Sequence, residues 1–269
     1  FLINYLSKYF DIKEVLDESW KGKTFVNLNF INQTYRGVIF FQNLPPIDIF
    51  NHIDNDNIIF FPMYDMMLGQ PKEYWLQYKN LKVINFSKTL HNQLQEWGIN
   101  STYIQYFPKP LYFSPGKPNR VYFWQRITDI NINLIPTLFP DEKLKVHLHT
   151  AVDPQQKFVK PTKQLENEYS ITYSNWFETR QQAQEIIKNK GIYIAPRFYE
   201  GIGLSFLEAM AMGKAIVAVN NPTMNEYITN NITGYLYNPN NPTPISLKNI
   251  KQIQKNTYQY MLKGYKQWQ

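Results

Sequence analysis

The sequence predicts an α/β fold with two domains, each built on a parallel β-sheet. Short apolar runs rich in aromatic and β-branched residues recur along the chain, as expected for buried strands. Helical patterns separate some of these runs, and the order strand, helix, strand is typical of a parallel sheet. With 269 residues, of which 43% are hydrophobic and 18% charged, the chain is long enough for two modest domains with hydrophobic cores.

Four strands are predicted in the N-terminal half: GVIFFQ at 37–42, NIIFFP at 57–62, KVINF at 82–86 and STYIQYF at 101–107. A helix is predicted between the last two, because Ser87 is a suitable N-cap and Gly98 a suitable stop. The apolar residues between them follow helical spacing: Leu90, Leu94 and Trp97.

A proline-rich segment separates the two halves. PKPLYFSPGKPNR at 108–120 contains four prolines and a glycine, a composition typical of a linker. We therefore predict an N-terminal domain at 1–110 and a second domain at 111–250. The second domain has five predicted strands: RVYFWQ at 120–125, LKVHLHT at 144–150, YSITYS at 169–174, GIYIAP at 191–196 and KAIVAV at 214–219. A helix is predicted between the third and fourth of these strands, ETRQQAQEIIKNK at 178–190.

The C-terminal residues 251–269 are predicted to form a closing amphipathic helix. Met261, Tyr265 and Trp268 lie at positions i, i+4 and i+7, and lysines occupy other faces. At the other end, the chain begins at Phe1 instead of Met. This start and the short N-terminal half agree with a truncated N-terminal domain.

Charge and composition narrow the classes of partner. The net charge of +7 favours anionic partners such as nucleotides, diphosphates or acidic membrane headgroups. Nucleic acid is discounted, because the lysines are scattered and no recognised binding motif is present. The absence of cysteine excludes disulfides and thiol chemistry and makes cytoplasm the expected location. The sequence has no apolar run long enough to span a bilayer and no signal-peptide pattern at its start.

Residues 194–237 carry the most information about function. A predicted strand ends at Pro196, a loop follows, and a helix is predicted from about Leu204 to Gly213. Gly201 and Gly203 lie just before that helix, so backbone N–H groups can approach a ligand without obstruction by a Cβ atom. A diphosphate suits such a turn.

Two carboxylates bracket the turn, and two interpretations of them remain open. Glu200 and Glu208 are placed to accept hydrogen bonds from sugar or ribose hydroxyls. Alternatively, Ser205 and Glu208 fit a capping box, and Glu200 is an ordinary loop acid.

The whole pattern resembles a known family. EGIGLSFLEAMAMGKAIVA at 200–218 resembles the signature of glycosyltransferase family 4, the group 1 glycosyltransferases, where two glutamates separated by seven residues surround a Gly-Phe-Gly-Leu-like turn. NNPTMNEYITNNITGYLYNP at 220–239 is similar to the family's next segment, with its acid at Glu226 and its turn at Thr233-Gly234. Weaker resemblance reaches back to about Arg120 and Ser87.

The resemblance implies a GT-B fold, in which two Rossmann-like domains face a cleft. It also implies transfer with retention of anomeric configuration, no obligatory metal and no cofactor, the nucleotide sugar being a substrate linked to UDP or GDP. The acceptor would be a glycan, a lipid-linked or a protein-linked group, and peripheral membrane contact would suit such acceptors.

The resemblance also assigns roles to residues. Glu208 would bind the ribose of the nucleotide, and Glu200 would lie near the transferred sugar. The residues that would face the diphosphate and sugar are Gly201, Ile202, Gly203, Leu204 and Ser205.

Arg126 is the expected diphosphate ligand, because VYFWQRITDI is similar to the family's strand that ends in Gly-Arg. A guanidinium can bridge two phosphate oxygens. Gln125 replaces the family's glycine, and the lysine expected about five residues later falls near Asn131. Four other cations are candidates to compensate, although each is also explained as a solvated surface residue: Lys160, Lys163, Arg180 and Arg197.

Asp65 and Asn175 complete the predicted site. Asp65 follows a predicted strand, as the family's polar group on the acceptor side does, but it is also explained as a helix cap. Asn175, with Trp176, follows the predicted strand where this fold places the nucleotide base.

We predict no metal site. His147 and His149 share one face of a strand as a metal pair would, but no third ligand is apparent, and two half-buried or cleft-facing imidazoles are the simpler explanation. Asp54-Asn55-Asp56 imitates the Asp-x-Asp metal motif of another glycosyltransferase fold. It precedes a predicted strand instead of following one, so we predict a solvated turn.

An alternative to the enzyme is a catalytically degenerate GT-B subunit that binds a sugar nucleotide or a partner protein without transfer. The short N-terminal half motivates this alternative. The presence of Glu200, Glu208 and Arg126 together argues against it, because a scaffold has no physical need for all three.

Overall fold

Two parallel β-sheets organise the chain in the computed structural model, which describes residues 2–18, 26, 28, 31, 35–53, 56–78 and 81–269. The first sheet has its strands in chain order: β1 (Val38–Gln42), β2 (Ile58–Pro62), β3 (Leu81–Asn85) and β4 (Ser101–Tyr103). The second sheet has the order β10–β9–β8–β5–β6–β7, with β5 (Lys117–Trp124), β6 (Lys145–His149), β7 (Thr172–Ser174), β8 (Lys190–Ile194), β9 (Ala215–Val219) and β10 (Tyr235–Tyr237). Strand pairs in both sheets are parallel, which confirms the predicted fold class. We refer to the two sheets with their helices as the N-terminal and C-terminal domains.

Helices connect most of the strands. In the N-terminal domain they are α1 (Leu2–Leu6), α2 (Ile47–Phe50), α3 (Tyr64–Met67), α4 (Lys72–Leu76) and α5 (Lys88–Glu96). In the C-terminal domain they are α6 (Leu134–Leu138), α7 (Lys163–Glu168), α8 (Arg180–Lys188), α9 (Leu204–Ala211), α10 (Met224–Tyr227) and α11 (Ile250–Trp268). Among the described residues, no helix is long and apolar enough to cross a membrane.

The helix predicted between β3 and β4 is confirmed as α5, with its predicted cap. The Ser87 hydroxyl accepts a hydrogen bond of 3.3 Å from the backbone N–H of Leu90. Leu90 and Leu94 are buried, and Gly98 after the helix has a positive φ of 75°. The cap and the apolar spacing seen in the sequence therefore agree with the observed helix and with the burial of its apolar face.

Each predicted strand overlaps an observed one, but several predicted bounds are wrong, and β3, β5 and β8 each begin before the predicted start. The strand predicted at 101–107 ends at Tyr103, because residues 104–107 leave the sheet and cross to the C-terminal domain. There the backbone N–H of Tyr106 donates to the hydroxyl of Tyr227 at 3.1 Å. The strand predicted at 169–174 begins at Thr172, because Tyr169 still ends α7. The short strand β10 was not predicted.

The predicted linker at 108–120 is too long, because its last four residues belong to β5. The turn into β5 occurs at Gly116, which has a φ of 74°. A Cβ atom at this position would lie 2.2 Å from the backbone oxygen of Lys190, so only glycine lets the chain pass this close to β8. The four prolines of the segment hid this strand start from sequence reasoning.

The C-terminal helix α11 packs on the segment that crosses between the domains. Met261 is fully buried, whereas the lysines of α11 are exposed, as the amphipathic pattern predicts. Gly264 contacts the ring of Phe107 so closely that a Cβ atom would lie 2.2 Å from it. Trp268 meets Tyr106 edge to face, with ring centroids 5.2 Å apart.

The larger core belongs to the C-terminal domain. Its central strands are buried on both faces, with Val121, Ile194 and Val217 fully inaccessible, as expected for a parallel sheet covered by helices. The N-terminal domain has two smaller clusters, one around Phe60 and one around Phe50. Most of the site described next belongs to this domain.

Candidate active site

Side chains that follow four different strands meet where the two domains touch. Asp65 lies after β2, Arg126 after β5, Asp153 after β6 and Arg197 after β8. The carboxyl ends of parallel strands share one edge of a sheet, which is where ligands bind in open α/β folds. This edge of each domain faces the other.

These four residues form a continuous chain of ion pairs. Arg126 donates from Nε and Nη2 to Oδ1 of Asp153, at 2.9 and 2.7 Å. Arg197 donates from Nε and Nη2 to the other oxygen of Asp153, at 3.0 and 2.5 Å. The same guanidinium reaches the N-terminal domain, where its Nη1 donates to Oδ2 of Asp65 at 3.1 Å. Two arginines therefore share one carboxylate, and one of them joins the domains.

Arg126 lies just after β5, as predicted, and this position places it in the chain of ion pairs. Its guanidinium lies over the ring of Trp124, 4.6 Å from the ring centroid, which is a cation–π contact. Gln125, which stands where the family has glycine, is fully buried.

Asp65 belongs to α3, but it does not cap that helix. The N-cap residue is Met63, and Asp65 lies in the first turn, where its carboxylate accepts from the N–H of Met66 at 3.1 Å. Burial raises the pKa of Asp65, and the neighbouring Arg197 opposes that rise. The capping alternative is therefore wrong, and the side chain faces the C-terminal domain.

Glu200 is buried beside the ion-pair chain, with 6% of its surface exposed. Its Oε1 atom has no hydrogen-bond partner among the described residues. Burial raises the pKa of Glu200 to about 7, although Arg197 and Arg126 act in the opposite direction. A buried carboxyl oxygen without a partner costs free energy in the ligand-free protein, so a hydroxyl donor from a ligand would be favoured there.

The two glycines before α9 pack closely against other residues of the protein, and the predicted approach of a ligand to this turn stays a prediction. Gly203 is the N-cap of α9, with a left-handed φ of 77°, and a Cβ atom there would lie 1.9 Å from the buried ring of Phe206. At Gly201 a Cβ atom would lie 2.8 Å from Met63 and 2.9 Å from Oδ1 of Asp65. Gly201 is therefore one of the points where the backbone of one domain touches the other.

The capping-box alternative for Ser205 and Glu208 is wrong. The helix begins at Leu204 without a side-chain cap, so Ser205 lies inside the first turn. Leu204 is 51% exposed, and Ile202 packs against the main core. The first backbone N–H groups of α9 consequently have no capping side chain.

Glu208 lies on the other side of the turn, in a separate environment. Its Oε1 accepts from Nη2 of Arg180 at 2.6 Å, so one candidate cation is paired here. Burial raises the pKa of Glu208, and Arg180 opposes that effect. Glu208 and Ser205 line a cavity of about 590 Å³ that also contains Trp176 and Phe177. The two glutamates therefore lie in different surroundings.

The predicted base-site segment borders this cavity only in part. Trp176 is 68% exposed and meets Trp124 edge to face, with 6.4 Å between ring centroids. Phe177 stacks on His149 at 4.5 Å. Asn175 is exposed and accepts from the N–H of Trp176 at 2.9 Å, and it is not among the residues that line the cavity.

His147 and His149 are both buried, more deeply than the half-buried imidazoles of the simpler explanation, and both are bonded to hydroxyls. His147 contacts Thr172 and Ser174, and His149 shares the same Ser174 hydroxyl, each at 2.8 Å. Burial lowers the pKa of each imidazole to about 4. Of the predicted solvated turn, Asp54 and Asn55 lie outside the described residues.

The structure distinguishes among the cations proposed to replace the family's lysine. Asn131 is engaged locally, because its amide donates to the backbone oxygen of Thr128 at 2.8 Å. Lys163 pairs with Glu166 on the surface, and Lys160 is exposed. Arg197 instead lies where the two domains touch and pairs with Asp153 and Asp65. Sequence reasoning ranked it no higher than the others and missed Asp153, although both follow predicted strands at the same sheet edge.

Comparisons with known proteins bear on the family and the fold of this chain. The family model described as glycosyl transferases group 1 matches residues 114–267. A search of curated protein sequences found no significant match. Among solved structures, the chain is similar to a glycosyltransferase from Rickettsia africae, with a TM-score of 0.63, 16% identity, and coverage of 98% of this chain and 83% of the other.

Two further structures share the fold at low identity. HepE of Anabaena, solved in complex with UDP and glucose, has a TM-score of 0.57 and 11% identity, with 86% of this chain and 74% of the other covered. The pneumococcal O-GlcNAc transferase GtfA, solved with UDP and GlcNAc, has a TM-score of 0.56 and 13% identity over 86% of this chain and 55% of the other. Because the family model covers more than half of the chain and the two facing α/β domains match these GT-B enzymes, the chain belongs to the group 1 glycosyltransferases.

Proposed function

We propose that this chain transfers a sugar from a nucleotide-sugar donor to a glycan, lipid-linked or protein-linked acceptor, with retention of anomeric configuration. One observation carries the proposal: Glu200, Arg126 and Asp65 converge where the two domains touch, beside the uncapped start of α9. Each comes from a different part of the chain, and we propose that a sugar diphosphate binds beside them.

The nucleoside is proposed to occupy the cavity beside Glu208. A carboxylate there would accept hydrogen bonds from the two ribose hydroxyls, in competition with its present partner Arg180. Trp176 and Phe177 offer aromatic faces for the base. We propose a UDP-linked donor before a GDP-linked one, because HepE and GtfA were both solved with UDP.

The diphosphate is proposed to lie between the first turn of α9 and the two arginines. Backbone N–H groups at a helix N-terminus attract anions, and Gly203, the N-cap of α9, has no side chain to compete for them. Arg126 and Arg197 would stabilise the negative charge that develops as the bond to the sugar breaks. This role for fixed guanidinium groups is the basis for proposing a metal-independent reaction.

The transferred sugar is proposed to contact Glu200. A sugar hydroxyl would donate to the unpartnered Oε1 atom and so complete the hydrogen bonding of a buried group. Asp65 faces the same space from the N-terminal domain and is proposed to orient the acceptor hydroxyl. Its link to Arg197 would hold the two domains at a fixed separation around the sugar.

A cytoplasmic location with peripheral membrane contact is part of this proposal. The net charge of +7 favours contact with an acidic membrane surface. Exposed apolar side chains near the N-terminus, Tyr9, Phe10 and Leu16, would add to such contact. Co-sedimentation with anionic vesicles tests it, and binding that does not depend on anionic lipid would contradict it.

The main experiment combines calorimetry with a turnover assay. A panel of UDP- and GDP-linked sugars is titrated into the protein, and hydrolysis and transfer are followed with and without EDTA. We expect one donor to bind and turn over, with both Glu200→Gln and Arg126→Ala abolishing turnover. Glu185→Gln, an exposed carboxylate change on α8, serves as the matched control and is expected to leave turnover unchanged.

Different outcomes contradict different parts of the proposal. Absence of binding by every sugar nucleotide would overturn the donor site. Binding without turnover with any acceptor would favour a degenerate subunit. Loss of activity in EDTA would contradict the metal-independent reaction, and NMR of the product would show whether anomeric configuration is retained.

A further inference from the structure

A second cavity lies at the opposite edge of the C-terminal sheet, where the strands begin. It has a volume of about 280 Å³. Its polar lining consists of Arg120, Lys145, His147, Ser170, Thr172 and Lys190. Arg120 and Arg126 are six positions apart along β5 and the turn that follows it, so about 20 Å of extended chain lies between this cavity and the candidate active site.

Parallel register brings the cations of this cavity together. Arg120 of β5 is the direct partner of Lys145, the first residue of β6. Lys190 is the first residue of β8, which pairs with β5 on its other side. Three positive side chains from three adjacent strands therefore surround one space.

These cations repel one another. Burial and the charge of Arg120 both lower the pKa of Lys190, and burial and the charge of Lys190 lower the pKa of His147. Lys190 is half-buried, so the repulsion is screened less by water than it would be between surface lysines.

No carboxylate compensates this charge among the described residues. No Asp or Glu lines the cavity, and none of its three cations forms an ion pair with a described acid. Elsewhere in the domain the pattern is different, because Arg126, Arg180 and Arg197 each pair with a carboxylate. An uncompensated cationic cavity is stabilised by a bound anion.

We propose that this cavity is a binding site for a phosphate group, separate from the sugar-nucleotide site. A guanidinium and two ammonium groups match the charge of a phosphate monoester, and the hydroxyls of Ser170 and Thr172 add hydrogen-bonding capacity. The volume accommodates a phosphate group with several waters, since each water occupies about 30 Å³ in the liquid. The phosphate belongs either to a small soluble molecule or to a lipid headgroup.

Calorimetric titration with inorganic phosphate at constant ionic strength tests the site. Arg120→Gln and Lys190→Gln are each expected to weaken phosphate binding by roughly tenfold or more, because each removes a charge-assisted contact. Arg126→Ala excludes a contribution from the candidate active site and is expected to retain this binding. Lys251→Gln, on the exposed face of α11, matches the loss of charge without touching the cavity.

Vesicles distinguish the two sources of phosphate. Co-sedimentation is measured with phosphatidic acid in phosphatidylcholine and with an equal charge of phosphatidylserine. Binding to phosphatidic acid that Arg120→Gln reduces and Lys251→Gln does not would identify the headgroup as the source. Phosphate binding in solution without this vesicle effect would identify a soluble phosphate compound.

Three results would overturn the proposal. One is the absence of phosphate binding to the folded protein. Another is equal phosphate affinity in Arg120→Gln, Lys190→Gln and Lys251→Gln. The last is loss of the binding in Arg126→Ala alone, which would assign the phosphate to the candidate active site. Circular dichroism confirms that each variant is folded, and the outcome for sugar-nucleotide turnover does not enter this test.

Discussion

The carboxylate of Glu226, in the C-terminal domain, accepts a hydrogen bond of 2.9 Å from the hydroxyl of Ser87, the N-cap of α5 in the N-terminal domain. The same carboxylate accepts from the backbone N–H groups of Lys88 and Thr89, at 2.7 and 2.9 Å. A carboxylate from one domain therefore accepts hydrogen bonds from the first backbone N–H groups of a helix in the other. Such a contact is favoured both by hydrogen bonding and by the helix dipole.

Glu226→Gln is expected to lower the free energy of unfolding by about 1 to 2 kcal/mol. The substitution removes the negative charge. It also places an NH₂ group against a backbone N–H that donates to a carboxylate oxygen in the wild type. Urea denaturation measures the effect. Glu185→Gln, on the surface of α8, is the control and is expected to change stability by less than about 0.5 kcal/mol. Equal stability of the two variants would contradict the interdomain role of Glu226.

The Asp65–Arg197 pair is expected to couple the two domains by about 1 kcal/mol, because both side chains are largely buried and joined at 3.1 Å. A double-mutant cycle with Asp65→Asn and Arg197→Gln measures this coupling in the free energy of unfolding. The surface pair Lys163–Glu166, in which the lysine is 86% exposed, gives the reference and is expected to couple by less than about 0.5 kcal/mol. Additive effects at Asp65 and Arg197 would show that their contact does not stabilise domain closure.

Glu200 is expected to make the protein less stable as pH rises from about 4.5 to 7. Its pKa is raised from 4.5 to about 7, so the folded state holds a proton that the unfolded state has already lost. The contribution of Glu200 to stability is therefore fully present below pH 4.5 and is lost as pH rises through about 7. Glu200→Gln removes this dependence and should exceed the wild type at pH 8 by up to about 3 kcal/mol, with little difference at pH 4.5. Parallel stability curves for wild type and Glu200→Gln between these pH values would disprove the shift.

Gly203→Ala is expected to destabilise the protein more than Gly69→Ala does. Both glycines have a positive φ, 77° and 80°, but a Cβ atom would clash with Phe206 at Gly203 and meet nothing within 4 Å at Gly69. Gly69→Ala should therefore cost only the conformational strain, about 1 to 2 kcal/mol, whereas Gly203→Ala should cost about 2 kcal/mol more. Thermal denaturation separates them. Equal melting temperatures would show that the turn before α9 relaxes without cost.

Much of the fold was predictable because it is determined by short stretches of sequence. Apolar runs located the strands, and Ser87 located the start of α5, since both depend on residues close together in the chain. Strand ends were less predictable. Gly116 and the segment 104–107 take their conformation from contacts with distant residues, Lys190 and Tyr227, which local composition does not show.

The candidate site divides in the same way. The sequence by itself determined the turn between Glu200 and Glu208 and the position of Arg126 at a strand end, because spacing along one segment sets them. Only the tertiary structure decided that Asp153 holds both arginines, and that Arg197 contacts Asp65 across 132 positions of sequence. It also decided that Glu226 meets Ser87 across 139 positions. Electrostatic pairing between domains depends on distance in space, and the sequence contains no local pattern that reports that distance.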